Sequence, residues 1–266
     1  MASVFEVRDE VWEVVAPLLP AVEPAATGRP RVADRVAFNA IVFVLVTGIA
    51  WRFVPQELGC SGVTAWRRLR DWQAAGVWER AAPTPRCWSA SMPPAPSTGQ
   101  PRWSTAAISA LFKGALTGPS PVDRGRTGSK HHLICDPSGI PLAITLTGGN
   151  RHDITQLLPL VDGVGPVRGK TGRPRLRAES LLADRGYDFD KHRRALRARG
   201  VKPIIARRSV EHGSGLGRHR WVVERTFAWL HFFRRLRLRW ERRPDIHQAF
   251  MSLACAVICQ RYLRAL

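Results

Sequence analysis

Two stretches decide how this chain is read: Ser180-Leu181-Leu182-Ala183-Asp184-Arg185-Gly186-Tyr187 and Arg218-His219-Arg220-Trp221-Val222-Val223-Glu224-Arg225-Thr226-Phe227-Ala228-Trp229-Leu230. In the first, a short apolar run ends in Asp and turns at Gly. That is the pattern of a buried strand presenting a carboxylate at its C-terminal edge. In the second, Trp221, Phe227 and Leu230 recur near helical spacing, which predicts a helix carrying Glu224. A strand-end Asp and a helix-borne Glu inside a cationic protein suit hard-metal chemistry on phosphodiesters. Carboxylate oxygens fit Mg²⁺, and paired ions can clamp the attacking and leaving oxygens of an in-line displacement. Each acid also has an ordinary reading. An Asp before Arg-Gly is commonly a turn residue, and a helical Glu beside Arg225 is commonly a solvated ion pair of little energetic worth.

The surrounding composition bounds the partner. The chain has 266 residues, with 41 Lys and Arg against 21 Asp and Glu, a formal charge of +20. Such a field favours a polyanion, and nucleic acid is the expected partner. A basic membrane-surface protein is the competing class, but the Arg residues are spread over several predicted elements rather than along one amphipathic helix. The apolar run from Ala37 to Trp51 is interrupted by Asn39 and Thr47 and is too short to span a bilayer. No membrane partner is expected, and no secretory signal opens the chain, so the expected location is cytoplasmic, with nucleoid association. Cys60, Cys87, Cys135, Cys255 and Cys259 form no CxxC pair and are odd in number. Neither a zinc site nor a disulfide framework is indicated, and Cys255 and Cys259 read as small core residues.

Residues 1–80 read as helical. Val7 to Leu19 has spaced apolar positions and stops at Pro20; Asp34 is a candidate cap for a helix running to Gly48. Ser61 is a candidate N-cap for a third helix, with Val63, Trp66 and Leu69 inward and Thr64, Arg67, Arg68 and Arg70 partly outward. Cations for phosphates and a polar first turn for base edges make a helix-turn-helix recognition helix. An amphipathic helix of an ordinary bundle would show the same pattern.

Residues 81–113 differ in kind. No Asp or Glu occurs between Glu79 and Asp123, and Pro, Ala, Ser and Thr dominate, a linker-like composition that nevertheless includes Trp88, Trp103 and Phe112. Beyond Thr117 the pattern returns to α/β alternation. Strands are predicted at Lys130 to Cys135 and Ile140 to Leu146 about an Asp136-Pro137-Ser138-Gly139 turn, and again at Val201 to Ala206. Helices are predicted around Ile154 to Val161, Lys191 to Arg199, Trp221 to Arg239, and from a cap at Asp245 to Leu266. Arg225, Arg234, Arg235, Arg237 and Arg239 of the Glu224 helix could line a DNA groove. Gly165 to Thr171 ends like a phosphate-binding loop, but Val164 stands at its first glycine position, so it reads as a basic loop. His131, His132, His152 and Asp153 lack metal-site spacing.

The chain resembles DDE transposases of bacterial insertion sequences, specifically the insertion-sequence-five family of actinobacterial type. Leu182-Ala183-Asp184-Arg185-Gly186-Tyr187-Asp188 is similar to the segment of the second acid, and Arg220-Trp221-Val222-Val223-Glu224-Arg225 to that of the third. The resemblance extends from Gly118-Pro119-Ser120-Pro121-Val122-Asp123-Arg124-Gly125 through Gly148-Gly149-Asn150-Arg151-His152-Asp153. Of the Tyr, Arg, Glu and Lys signature around the third acid, Arg220 and Glu224 fit, while Gly217 and His231 stand at the Tyr and Lys places. The resemblance implies an α/β, RNase H-like catalytic domain at residues 117–266, preceded by a small all-α helix-turn-helix domain at 1–80. It implies Asp184 and Glu224 as ligands of Mg²⁺ (or Mn²⁺), with Arg220 orienting Glu224 or contacting phosphate. It also implies double-stranded DNA as partner, through terminal inverted repeats and target DNA; a homodimer stays open.

One departure bears on activity. Relatives carry the first acid in a strand reading roughly Val-Asp-Ser-Ser-His-Val-Arg-Ala, where this chain has Trp103-Ser104-Thr105-Ala106-Ala107-Ile108-Ser109-Ala110. Back-translated with GC-rich codons and shifted by two bases, that stretch becomes Val-Asp-(Gly or Ser)-(Gly or Ser)-His-Leu-Arg-Ala. The expectation is an out-of-frame segment between about residues 81 and 112, a missing first acid, and an impaired enzyme. The alternative is an inactive DNA-binding remnant or dominant-negative regulator of transposition.

Overall fold

The computed structural model describes residues 5–22, 27–28, 30–81, 102–110, 114–121, 124–165, 178–208 and 217–262, and only the backbone at 102–110, 217–220 and 261–262. Helix α1 (Asp9–Val15) continues as a 3₁₀ turn, and α2 spans Asp34–Thr47. Asp34 is not its cap: Ala33 holds that position, and Asp34 pairs instead with Arg31 and, at 3.6 Å, with Arg68. Gly48 ends α2 at φ +71, a left-handed conformation that costs Gly nothing. Helix α3 (Gly62–Ala74) starts as expected, the Ser61 hydroxyl accepting from the Thr64 N–H at 3.2 Å. A Cβ on Gly62 would lie 1.7 Å from the Trp51 carbonyl oxygen, so only Gly lets α3 begin this close to the 51–53 turn. Helix α4 spans Val77–Ala81.

Next comes a six-stranded sheet of β1 (Arg102–Ala110), β2 (Gly118–Pro119), β3 (Thr127–Cys135), β4 (Pro141–Gly148), β5 (Ser180–Ala183) and β6 (Lys202–Ile205). Strand β3 pairs antiparallel with both β1 and β4, while β5 runs parallel to β1 and β6 parallel to β5. The linker-like segment thus supplies the strand on which the two halves of the sheet meet. The Asp136–Gly139 turn is where the sequence places it, closed by Asp136 Oδ1 accepting from the N–H groups of Ser138 and Ile140 at 2.9 and 2.8 Å. Helices α5 (Leu157–Asp162), α6 (Asp190–Ala198), α7 (Gly217–Phe232), α8 (Arg234–Arg237) and α9 (Pro244–Tyr262) complete the order. The single helix expected over Trp221 to Arg239 is interrupted at Phe233, whose extended backbone separates α7 from α8.

Strand alternation sorts the core into two layers. Leu133, Cys135 and Leu182 face a cluster with α7, α9 and the N-terminal helices, whereas Ile134, Leu181 and Ala183 face a second cluster with Leu157, Leu160 and Leu196. The first cluster joins Phe38, Leu45, Leu69, Trp72 and Trp78 to Leu236, Phe250, Leu253 and Val257. The helical region and the sheet region therefore share one apolar core. Val63, expected inward, is instead 59% exposed.

Candidate active site

Asp184 follows β5 in extended backbone (φ −72, ψ 173), as the apolar run ending in Asp predicts. Continued alternation puts it on the side of the sheet that Leu182 faces, the side covered by α7. Asp184 is exposed, and its Oδ1 accepts from the Gly186 N–H at 2.8 Å, capping the 3₁₀ turn Arg185–Tyr187. The loop is braced from behind. Asp188 accepts from Arg193 Nε at 2.7 Å and from the Arg208 N–H at 2.9 Å, while Arg193 Nη2 donates to the Ile205 carbonyl at 2.7 Å. Burial opposes charge on Asp188, but the Arg208 N–H and the Arg193 guanidinium outweigh it and hold the carboxyl below its ordinary range. Arg208 adds a bond to the Gly186 carbonyl at 3.0 Å and lies 4.2 Å over the Phe189 ring. Nothing in the sequence distinguishes Arg193 from the other cations of its basic helix; only packing shows that it is buried.

Glu224 lies on α7, as its apolar spacing predicts, and is exposed. The helix is docked onto the β3–β4 turn: buried Thr226 donates to the Gly139 carbonyl at 2.7 Å, and Arg225 Nη2 donates to the Ser138 carbonyl at 2.6 Å. The Arg225 guanidinium lies 4.5 Å over Trp221 and 4.8 Å over Trp229. It thereby stiffens the helix beside Glu224 while committing its own charge. Arg220 lies in α7, but its side chain is outside the described residues.

The two carboxylates stand on one side of the sheet, but no set of three or more His, Cys, Asp and Glu side chains placed to hold a metal occurs among the described residues. Strand β1, the neighbour of β5 and the expected seat of the first acid, reads Arg-Trp-Ser-Thr-Ala-Ala-Ile-Ser-Ala, with Ser104 paired to Ala183. No register of that strand could offer a carboxylate. Among the described residues the donor set therefore falls short of what a three-acid metal pair requires. The described histidines do not gather as ligands either: His131 faces His247 at 2.9 Å, His132 faces Thr147 at 2.7 Å, and His152 Nδ1 accepts from the Ile154 N–H. The Asn150–Asp153 loop is held by Lys130, which bonds the Arg151 carbonyl and Asp153.

The residues expected on DNA divide into two groups. Arg67 and Arg234 are exposed, Thr64 is half-buried at the start of α3, and Arg70 lies beside Asp71 with its guanidinium over Trp66. Arg68 is largely covered, reaching the Val32 carbonyl and Asp34. Arg235 is not a surface cation: it is 5% exposed and its donors go to Glu241 and to the Gly48 and Ile49 carbonyls. Arg239, likewise expected in a groove, is buried against Ser129 and the Glu241 carbonyl. Most of the Gly165 to Thr171 stretch lies outside the described residues. No described helix is long and apolar enough to cross a membrane.

Comparison with known proteins gives two family matches: "Putative transposase of IS4/5 family" over residues 7–82 and "Transposase DDE domain" over residues 95–259. The chain is 62% identical over 148 residues, 56% of its length and 70% of the relative's, to "Putative transposase for insertion sequence element IS402" of Burkholderia cepacia. It is 55% identical over 78 residues, 28% of its length and 53% of the relative's, to "Insertion element IS402 uncharacterized 16.2 kDa protein" of the same organism. It is 31% identical over 140 residues, 98% of the relative, to "Putative transposase for insertion sequence element IS6501" of Brucella ovis. DDE transposases normally work with divalent metal ions. With the DDE domain match taking in more than half of the chain, this protein belongs to the DDE transposase family of insertion sequences.

Proposed function

We propose that the chain is built for metal-dependent DNA strand cleavage and transfer at insertion-sequence ends, and that as written it binds DNA without completing the chemistry. Asp184 and Glu224 are the second and third acids, ligands for Mg²⁺ or Mn²⁺ in an intact relative, and Arg220 orients Glu224 or contacts phosphate. The antiparallel β4–β3–β1 ladder flanked by parallel β5 and β6 supports an RNase H-like reading of residues 117–266 together with β1. Residues 1–80 form the DNA-binding part, with Thr64, Arg67 and Arg70 on the outer side of a helix-turn-helix recognition helix.

The observation that carries the reading of impairment is β1: the strand next to Asp184 contains no acid. Mg²⁺ demands near-octahedral oxygen geometry and gives up water reluctantly, so two carboxylates without the third hold it weakly. The shifted-frame translation of Trp103 to Ala110 supplies the missing Val-Asp. An inactive remnant able to occupy element ends, or to act as a dominant-negative regulator, is the form this lineage takes here.

The test is Mg²⁺-dependent cleavage of a duplex carrying the element's end. The chain as written is expected to give no product. A version with the shifted frame restored across residues 81–112 is expected to cleave, and to lose cleavage with Asp184→Asn or Glu224→Gln. Cleavage by the chain as written, abolished by Asp184→Asn, would overturn the reading of impairment.

A further inference from the structure

We propose that Arg242 and Arg243, in the turn before α9, continue the DNA face of α3, so that one duplex is gripped at once by the helical region and by the C-terminal part. This rests on reading α3 as the DNA-binding helix. The juxtaposition is made by Trp66. Its ring lies 5.5 Å from the Arg70 guanidinium of its own helix and 5.9 Å from the Arg243 guanidinium, from a residue far along the chain. Arg67, Arg242 and Arg243 are exposed. An aromatic ring that both guanidinium groups approach attracts each of them, which offsets part of their mutual repulsion and lets like charges stand together facing solvent.

The turn that presents these cations is fixed from below. Buried Arg239 donates to the Glu241 carbonyl at 3.0 Å and to the Arg242 carbonyl at 3.3 Å, so the backbone of the turn is bonded to a side chain that is 2% exposed. Asp245 holds the Arg243 guanidinium through both carboxylate oxygens. α3 in turn packs with α9 in the common core. The spacing between the α3 cations and the 242–243 turn is therefore set by packing rather than by a linker. A planar guanidinium is weakly hydrated and matched to phosphate oxygens, and the partner this surface fits is the sugar-phosphate backbone of a duplex.

The experiment is binding of the full chain to a generic duplex, measured over a range of salt concentrations. Each phosphate contact contributes about 0.9 to the slope of log K against log salt. Arg67→Ala is expected to lower the slope by about 1 and the Arg242→Ala, Arg243→Ala pair by about 2, additively. Asp245→Asn keeps both cations and removes a carboxylate, so it should bind as tightly as the parent or tighter. Arg243→Lys should keep most of the slope, which separates lost charge from lost folding. An unchanged slope for the Arg242, Arg243 pair with a reduced one for Arg67→Ala would overturn this inference and leave α3 standing. An unchanged slope for all three would remove the α3 reading as well. Weakening by Asp245→Asn equal to that of Arg243→Ala would show the ion pair to be structural.

Discussion

At the scale of single residues, neighbouring arginines with the same sequence credentials have opposite roles. Arg234 is exposed, while Arg235 is 5% exposed and bonds Glu241 and the Gly48 and Ile49 carbonyls; Trp51 Nε1 also donates to Glu241, at 3.2 Å. Removing one partner of a buried ion pair strands the other, at a cost of about 3–5 kcal/mol. Arg235→Ala is therefore expected to destabilise the chain by roughly that amount in denaturant titrations, whereas Arg234→Ala should leave stability within about 0.5 kcal/mol. Equal midpoints for the two variants would remove the structural role of Arg235. The sequence contains the pair, but nothing along the chain tells which Arg turns inward, because the choice depends on where the α2–α3 connection comes to lie.

At the scale of elements, β3 and α9 meet through two buried histidines. His131 and His247 face each other Nε2 to Nε2 at 2.9 Å, an arrangement in which one ring donates and the other accepts, so both are neutral. Burial, then the nearby His231, His132 and Arg239, push His131 down to about 3; burial, then the neighbouring His131, Arg239 and Arg235, push His247 well below its ordinary value. On the opposite face of β3, burial pushes His132 down to about 4. In the unfolded chain these groups titrate near 6.5, so below that pH the unfolded state binds more protons than the folded one. Stability should be level from about pH 6.5 to 8 and fall as pH drops toward 4, by about 1.4 kcal/mol per pH unit for each such His. Carboxylates that are held low in the folded state, such as Asp188, lose their contribution only below this window. A melting temperature that does not change between pH 7.5 and 5 would contradict this, and His247→Gln should flatten the decline. The strand that composition alone hides, and only the family resemblance places, belongs at this scale too. β1 has no acid and a linker-like neighbourhood, and it is a strand because β3 and β5 offer it two unpaired edges.

At the scale of the whole molecule, the boundary that composition suggests near residue 80 is not a boundary in packing. Phe38, Trp72 and Trp78 are buried together with Phe250 and Leu253 of α9 in one cluster. Each large aromatic stripped of such surroundings forfeits several kcal/mol of burial, which a fragment of some 80 residues with a marginal core of its own cannot spare. Residues 1–81 produced alone are expected to lack a cooperative thermal transition and the near-ultraviolet signature of fixed tryptophans, and to regain both only with the C-terminal helix present. A sharp, cooperative melt of the fragment would show that the helical region folds independently of α9.

What the sequence by itself determined is local: the Ser61 cap and the left-handed stop at Gly48, the hairpin about Asp136–Gly139, a strand ending in Asp184 and a helix bearing Glu224. These depend on interactions within a few residues, so periodicity, turn chemistry and capping suffice to read them. Only the tertiary structure decided the rest. It placed β1 at the centre of the sheet, turned Arg193, Arg235 and Arg239 inward, left Val63 outside and brought Trp66 beside Arg243. Those outcomes come from contacts between residues far apart in the chain, where burial and unpaired strand edges override local propensity, and no window of sequence contains them.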